Sequence, residues 1–332
     1  MLSLRLKASV FLSAYALMIA ACSGGHRNEE AAQSGTNSAA TATAPTTPTG
    51  TLTLKGSDTM VILAQRFAEG YMRTHAGATI QVSGGGSGVG IAALLNGTTD
   101  IANSSRPMKD EEKTRLRDTR HVEANETRVA LDALAVYVNT ANPIEQLTLE
   151  QLSQIYTGRV TNWNQVGGPD LPIVLYSREN NSGTYAFFKE HVLKNADFAA
   201  TAQTLPGTAA VINAVTRDRG GIGYGGIAYG QGIRHVRLAG ADGQAIEPSL
   251  ENATSGRYPL SRYLLMYTGG APSPLAADFL RWATGVDGQR LVEEVGYYPL
   301  PGVLPATAAA PVQGAVAPPS AAPPAPSGTA PQ

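Results

Sequence analysis

Apolar and polar residues alternate in "TLTLK" at 51–55, and apolar residues then recur at helical spacing over residues 60–72. Met60, Leu63, Ala64, Phe67, Ala68 and Tyr71 fall there on one face. This change of period, from two to about 3.6, predicts a strand, a short loop and a helix. The same order returns in "ATIQVS" at 78–83, a glycine-rich stretch and an apolar helical run over 91–95. It returns again in "IVLYS" at 173–177, followed by a helix over 182–193. Towards the end, "RYLLMYT" at 262–268 reads as a strand, with helices over 273–284 and 289–295. Such alternation predicts an α/β fold of mainly parallel sheet flanked by helices, with ligands placed beyond the carboxyl ends of the strands.

The junctions between these strands and helices resemble one another. They read Gly56-Ser57-Asp58-Thr59, Gly84-Gly85-Gly86-Ser87-Gly88 and Asn181-Ser182-Gly183-Thr184. A fourth candidate, Ser104-Ser105-Arg106-Pro107, runs into Asp110, Glu111 and Glu112. Each sets a small hydroxyl residue at or beside a helix N-terminus, where unpaired N–H groups and the positive end of the helix dipole face outward. Ordinary capping accounts for any one of them. Their repetition after strands, with five glycines between residues 84 and 90, points to an oxyanion approaching bare backbone.

The familiar alternatives do not fit. G-x-x-x-x-G-K-[ST] is absent, the glycine spacing at 84–90 fails G-x-G-x-x-G, and Ser87 misses G-x-S-x-G because Val89 follows Gly88. Histidines at 26, 75, 121, 191 and 235 are scattered, so neither a metal site nor a sequence-local catalytic dyad is expected, and no cofactor is called for. A net charge of −1, with 43% hydrophobic and 15% charged residues in 332, allows a sizeable core but no basic field for nucleic acid.

Outside the alternating region, Arg5 and Lys7 precede an apolar run from Ala8 to Ile19, the layout of an export signal over residues 1–21. The run closes on Ile19-Ala20-Ala21-Cys22, which resembles the bacterial lipobox. Cys22 is the chain's single cysteine, and lipid attachment accounts for it better than a thiol left unpaired in an oxidising compartment. Residues 22–50 are poor in large apolar side chains and read as a disordered tether. Residues 303–332, rich in proline and alanine, read as a disordered tail. The roughly 250 residues between them suit two lobes.

Seven segments carry a resemblance to a known family: "GSDT" at 56–59, "GGGSGVGIAAL" at 84–94, "GTTDIANSSR" at 97–106, "LTLEQLSQIYTGRVTNWNQVGGPDLPI" at 147–173, "SRENNSGT" at 177–184, "GGIGY" at 220–224 and "YPLSRYLLMYT" at 258–268. Together they resemble the periplasmic phosphate-binding proteins of ABC transporters, the PstS type, in a shorter lipoprotein branch. The resemblance implies a type II clamshell, with lobe one at residues 51–136 plus 253–302 and lobe two at 137–252. It implies a monomer, not an enzyme, held by lipid on the periplasmic or cell-surface face of a bacterial membrane. Such a protein passes inorganic phosphate to ABC permease subunits.

Carried across, the family's ligand groups fall on Asp58, Thr59, Ser87, Ser105, Arg178, Ser182, Gly183 and Thr184, with Ser57, Gly88 and Arg106 as further candidates. Arg178 can give two parallel N–H bonds to phosphate, which lysine does not reproduce. Many members carry aspartate where this chain has Ser105. There the carboxylate accepts the hydrogen phosphate proton that sulfate lacks. Asp58 is the proposed substitute; its rival reading is a cap on the helix beginning near Met60. Two other readings use the same residues: a phosphate-sensing or surface interaction protein on this fold, and a lipid-anchored phosphatase using one serine as nucleophile.

Overall fold

The computed structural model describes residues 48–240 and 243–304. The export signal at 1–21, Cys22, most of the tether and the tail from 305 lie outside the described residues.

The first half builds one α/β body. Strand β1 (Gly50–Gly56) leads through a short 3-10 turn to α1 (Val61–Thr74), then β2 (Ala78–Ser83), α2 (Ser87–Leu95), β3 (Ile101–Ser104) and α3 (Asp110–Arg120). Strands β2 and β3 both pair in parallel with β1, setting Leu52 beside Ile80 and Leu54 beside Ile101. The long strand β4 (Ala124–Val138) then leaves this body for a second one.

There β5 (Gln146–Thr148), α4 (Leu149–Tyr156), β6 (Val174–Arg178), α5 (Gly183–His191), β7 (Gln203–Leu205), α6 (Gly207–Arg217), β8 (Gly221–Gly226), β9 (Arg234–Ala239), β10 (Ala245–Ile246) and α7 (Leu250–Thr254) follow in turn. Strands β8, β6 and β7 run parallel, β4 is antiparallel to both β8 and β9, and β9 takes β5 in parallel and β10 antiparallel. The chain returns through β11 (Ser261–Gly269) and finishes in α8 (Pro274–Thr284) and α9 (Val286–Val295).

One path of paired strands, β2-β1-β3-β11-β4-β8-β6-β7, links both bodies. Strand β4 pairs with β11 as far as Ala133 and with β8 from Leu134 onward, so it belongs to both. Period-two packing makes each body three layers deep. On β11, Leu264 and Met266 join the core beneath α1, α8 and α9, whereas Leu265 and Tyr267 join that under α2 and α3. On the far part of β4, Leu134, Val136 and Val138 face the core of α4 and α5, and Ala135 and Tyr137 face α6. These separate cores on either side of the crossing make two lobes of the clamshell kind. Each lobe is parallel within, and its antiparallel pairs gather at the crossing strands and in the small β9–β10 arm. Among the described residues, no helix is long and apolar enough to cross a membrane.

Candidate functional site

Four strand ends deliver the site. After β1, the Ser57 N–H donates to the Asn103 carbonyl (2.9 Å), tying this turn to the end of β3. After β2, Gly86 takes φ +93°, a left-handed value that side chains disfavour, and its N–H donates to the Gly56 carbonyl (3.0 Å). Ser87 then opens α2 as a fully buried residue. Beyond β6, the Ser182 hydroxyl accepts the Tyr185 N–H (3.3 Å) and fixes the start of α5.

These ends meet across the lobes. Arg178 Nη2 donates to Asp58 Oδ2 (2.7 Å), and the Thr59 and Thr184 hydroxyls lie 2.8 Å apart. Ser105 Oγ is 3.4 Å from Thr184 Oγ1 and 3.3 Å from Ser87 Oγ, and its N–H donates to Ser87 Oγ (3.1 Å). The Gly88 N–H donates to the Asn181 carbonyl (2.9 Å), while Asn181 Nδ2 donates to the Gly85 carbonyl (3.1 Å). Gly183 sits between: a Cβ there would come within 2.3 Å of Ser87 Oγ and 2.7 Å of Ser105 Oγ. The two lobes are therefore closed on one another at this point.

The cluster is rich in donors. Arg178 is 1% exposed; its Nη1 donates to Thr208 Oγ1 (2.8 Å) and its buried Nε has no partner. Burial pulls the Arg178 pKa below its ordinary value, partly opposed by the Asp58 carboxylate, and the positive charge of Arg262 acts in the same direction as burial. A guanidinium so placed favours a further negative charge nearby. The first N–H groups of α2 and α5 have no acceptor inside their own helices and add positive potential.

Asp58 is held from two sides. Its Oδ1 accepts the Gly85 N–H (2.8 Å), its Oδ2 accepts Arg178, and its carbonyl accepts the Tyr229 hydroxyl (2.8 Å). No side chain caps the 3-10 turn or α1, so the carboxylate is not spent on the helix near Met60. Each oxygen keeps lone-pair capacity for one more donor.

Ser57, Asp58, Thr59, Ser87, Gly88, Ser105, Arg178, Ser182, Gly183 and Thr184 are thus carried by the loops that meet here. Arg106 is not brought in. Its guanidinium forks onto Glu112 Oε1 and Oε2 (2.7 and 2.8 Å) and onto the Pro107 carbonyl, anchoring the start of α3. Burial opposes ionisation of Glu112, but the Arg106 and Lys109 hydrogen bonds outweigh it and hold the carboxyl below its usual range. Thr208, Tyr229 and Arg262 went unread as site residues, and Asn181 was read only as part of its junction. Pro206-Gly207 ahead of Thr208 is a turn signal that could have pointed to it, whereas Tyr229 has no hydroxyl-and-glycine junction around it. Arg262 stands in "YPLSR", a motif noted for its likeness alone.

A profile of the PBP superfamily domain matches residues 41–287. The phosphate-binding protein PstS of Pseudomonas aeruginosa is 36% identical over 270 residues, covering 76% of this chain and 84% of that protein. Its counterpart in Staphylococcus epidermidis is 30% identical over 257 residues, covering 74% and 78% respectively. Among solved structures, a Clostridium perfringens protein with bound phosphate superposes at a TM-score of 0.70 with 28% identity, over 76% of this chain and 100% of that one. An ABC-type phosphate transport receptor from Vibrio cholerae superposes at 0.62 with 28% identity, over 75% and 100%. By its profile, its relatives and the converging loops, the chain belongs to the PBP superfamily and, within it, to the PstS-like phosphate-binding proteins.

Proposed function

We propose that this protein captures inorganic phosphate between its two lobes and hands it to the membrane subunits of an ABC transporter. One observation carries the reading: hydroxyl and amide loops from four distant segments converge on a buried arginine whose Nε is unpaired. Relatives named for phosphate binding, and a similar structure holding phosphate, support the choice of oxyanion.

Magnitudes allow binding without turnover. Helix ends contribute roughly 0.3–1 kcal/mol each and charged hydrogen bonds about 1.5–3 each, so three loops with Arg178 reach the ~8 kcal/mol that micromolar affinity requires. The chain is not an enzyme in this reading, and His75, His191 and His235 are engaged with Asp278, with the Phe187 carbonyl and ring, and with Glu247. Release of phenolate from a chromogenic phosphate ester by the purified protein would reverse that assignment.

The moving bodies are residues 51–136 with 253–302, and residues 137–252, except that Leu134, Ala135, Val136, Tyr258 and Leu260 beside these divisions pack in the cores of the second body. Their hinge lies beside those divisions, where β4 exchanges β11 for β8 and the chain returns to β11. Phosphate stabilises the closed form because it touches both bodies at once. The protein works as a monomer outside the cytoplasmic membrane, exported by its leader and held by lipid on Cys22, with residues 22–50 as tether.

Asp58 provides the selectivity that aspartate at position 105 would otherwise provide. A hydrogen phosphate oxygen can donate its proton to this carboxylate; sulfate has none to give and meets a partly buried negative charge. In Asp58→Asn, calorimetric titration is expected to reduce the preference for phosphate over sulfate at least about tenfold, the loss of one charged hydrogen bond. Since losing the Arg178 partner affects both anions, only their ratio reads the acceptor. An unchanged ratio removes Asp58 from selectivity.

A further inference from the structure

A second buried guanidinium stands beside the site. Arg262, on β11, is 6% exposed and lies directly across from the fully buried Asp132 of β4 in the sheet register. Its Nε and Nη2 both approach Asp132 Oδ2 (3.0 and 2.9 Å), and Nη2 also donates to Thr184 Oγ1 (3.0 Å). Its face lies 5.2 Å from the centre of the Phe187 ring. The other Asp132 oxygen accepts the Ile227 N–H (3.0 Å), so this carboxylate ties the arginine to the turn after β8.

A pair serving only to neutralise two charges would leave no donor exposed to nothing. Here Asp132 takes the Nε–Nη2 edge, and Nη1, on the opposite edge, is buried without a partner. Burying an arginine donor unpaired is costly. The hydroxyl that Arg262 Nη2 reaches, Thr184 Oγ1, is the one in contact with Thr59 Oγ1 (2.8 Å) and Ser105 Oγ (3.4 Å). Both buried guanidiniums around this hydroxyl cluster, Arg178 and Arg262, keep one nitrogen bare.

We propose that Arg262 is a second anion-binding arginine of the cleft, presenting Nη1 to the bound oxyanion while Asp132 and Thr184 hold the fork in place. This rests on the oxyanion reading of the site. It makes the crossing strands themselves part of the binding surface. Arg262 and its partner Asp132 sit on β11 and β4, so the ligand pulls directly on the strands about which the lobes close.

Calorimetric titration of inorganic phosphate into the wild type, Arg262→Gln and the double variant Asp132→Asn/Arg262→Gln tests this. Loss of one charged hydrogen bond is expected to raise Kd about 10- to 100-fold in Arg262→Gln. The double variant, which removes the buried charge of Asp132 together with its partner, is expected to remain at least about tenfold weaker than wild type. Far-ultraviolet dichroism and melting temperature establish that each variant is folded; if Arg262→Gln alone is not, the double variant decides. A double variant that binds phosphate like the wild type would mean that Arg262 only neutralises Asp132, and the proposal fails. Absence of phosphate binding in the wild type would instead overturn the oxyanion reading itself.

Discussion

Arg178 shows what a single residue contributes here and how it is set up. It ends β6, so a strand fixes its backbone, while Thr208 and Asp58 fix its fork from two sides. Lysine would keep the charge but lose the planar, two-sided donor arrangement. We expect Arg178→Lys to weaken phosphate about 10- to 100-fold in calorimetric titration, as loss of one charged hydrogen bond requires. Phosphate binding by this variant at wild-type affinity would show that the fork is not used. The importance of Arg178 was legible through the family resemblance, in which an arginine stands six residues before the threonine that Thr184 matches. Its partner was not legible, since Asp58 and Arg178 are 120 positions apart and no local signal joins them. The reading of Asp58 as a cap was natural for the same reason: sequence displays neighbours, while the carboxylate spends its bonds on Gly85 and Arg178.

At the level of elements, local pattern did well where one face of an element is buried. The strand expected at 78–83 is β2, and the helix expected over 60–72 is α1 with its preceding turn. Strand β4 went unread as an element because its second half is buried on both faces, so "LDALAVYV" has no alternation to display. The glycine loop was read as bare so that a ligand could approach. In the structure its close neighbours include the protein's own backbone: a Cβ on Gly86 would meet the Asn181 carbonyl at 2.8 Å, and one on Gly90 the Lys55 carbonyl at 2.4 Å. The loop is bare at least partly so that α2 can seat on β1 and on the turn before α5.

Gly183 turns this packing into a prediction. Alanine is favoured over glycine in a helix by up to about 1 kcal/mol, so Gly183→Ala should not lower unfolding stability in the open, phosphate-free form. Its methyl group would nonetheless meet Ser87 and Ser105 in the closed form, at distances shorter than contact. Phosphate affinity should therefore fall at least about tenfold, which calorimetry beside a thermal melt would record. Equal affinity in this variant would mean that the loops do not close as tightly as they stand here.

Across the whole molecule, the two-lobed plan came from likeness to a family rather than from periodicity. Nothing local in "ALDALAVYV" announces that one strand serves two sheets. The exchange of partners between Ala133 and Leu134 depends on β8 and β11, more than 85 residues further along. Distant segments meet because every parallel strand places its following turn at the same edge of its sheet, and the crossing strands bring the two edges face to face. That arrangement makes recognition of a small, highly charged anion compatible with a nearly neutral chain: net charge −1 overall, yet N–H and O–H donors gathered at one seam.

The central claim is that this seam holds one tetrahedral oxyanion. Isothermal titration of the purified chain, freed of bound anion by dialysis, with phosphate, arsenate, sulfate and molybdate tests it most directly. The account predicts one phosphate per chain at about micromolar affinity or tighter, arsenate as a competitor at the same site, and sulfate weaker by at least about tenfold. No heat and no thermal stabilisation with any of the four anions would contradict it.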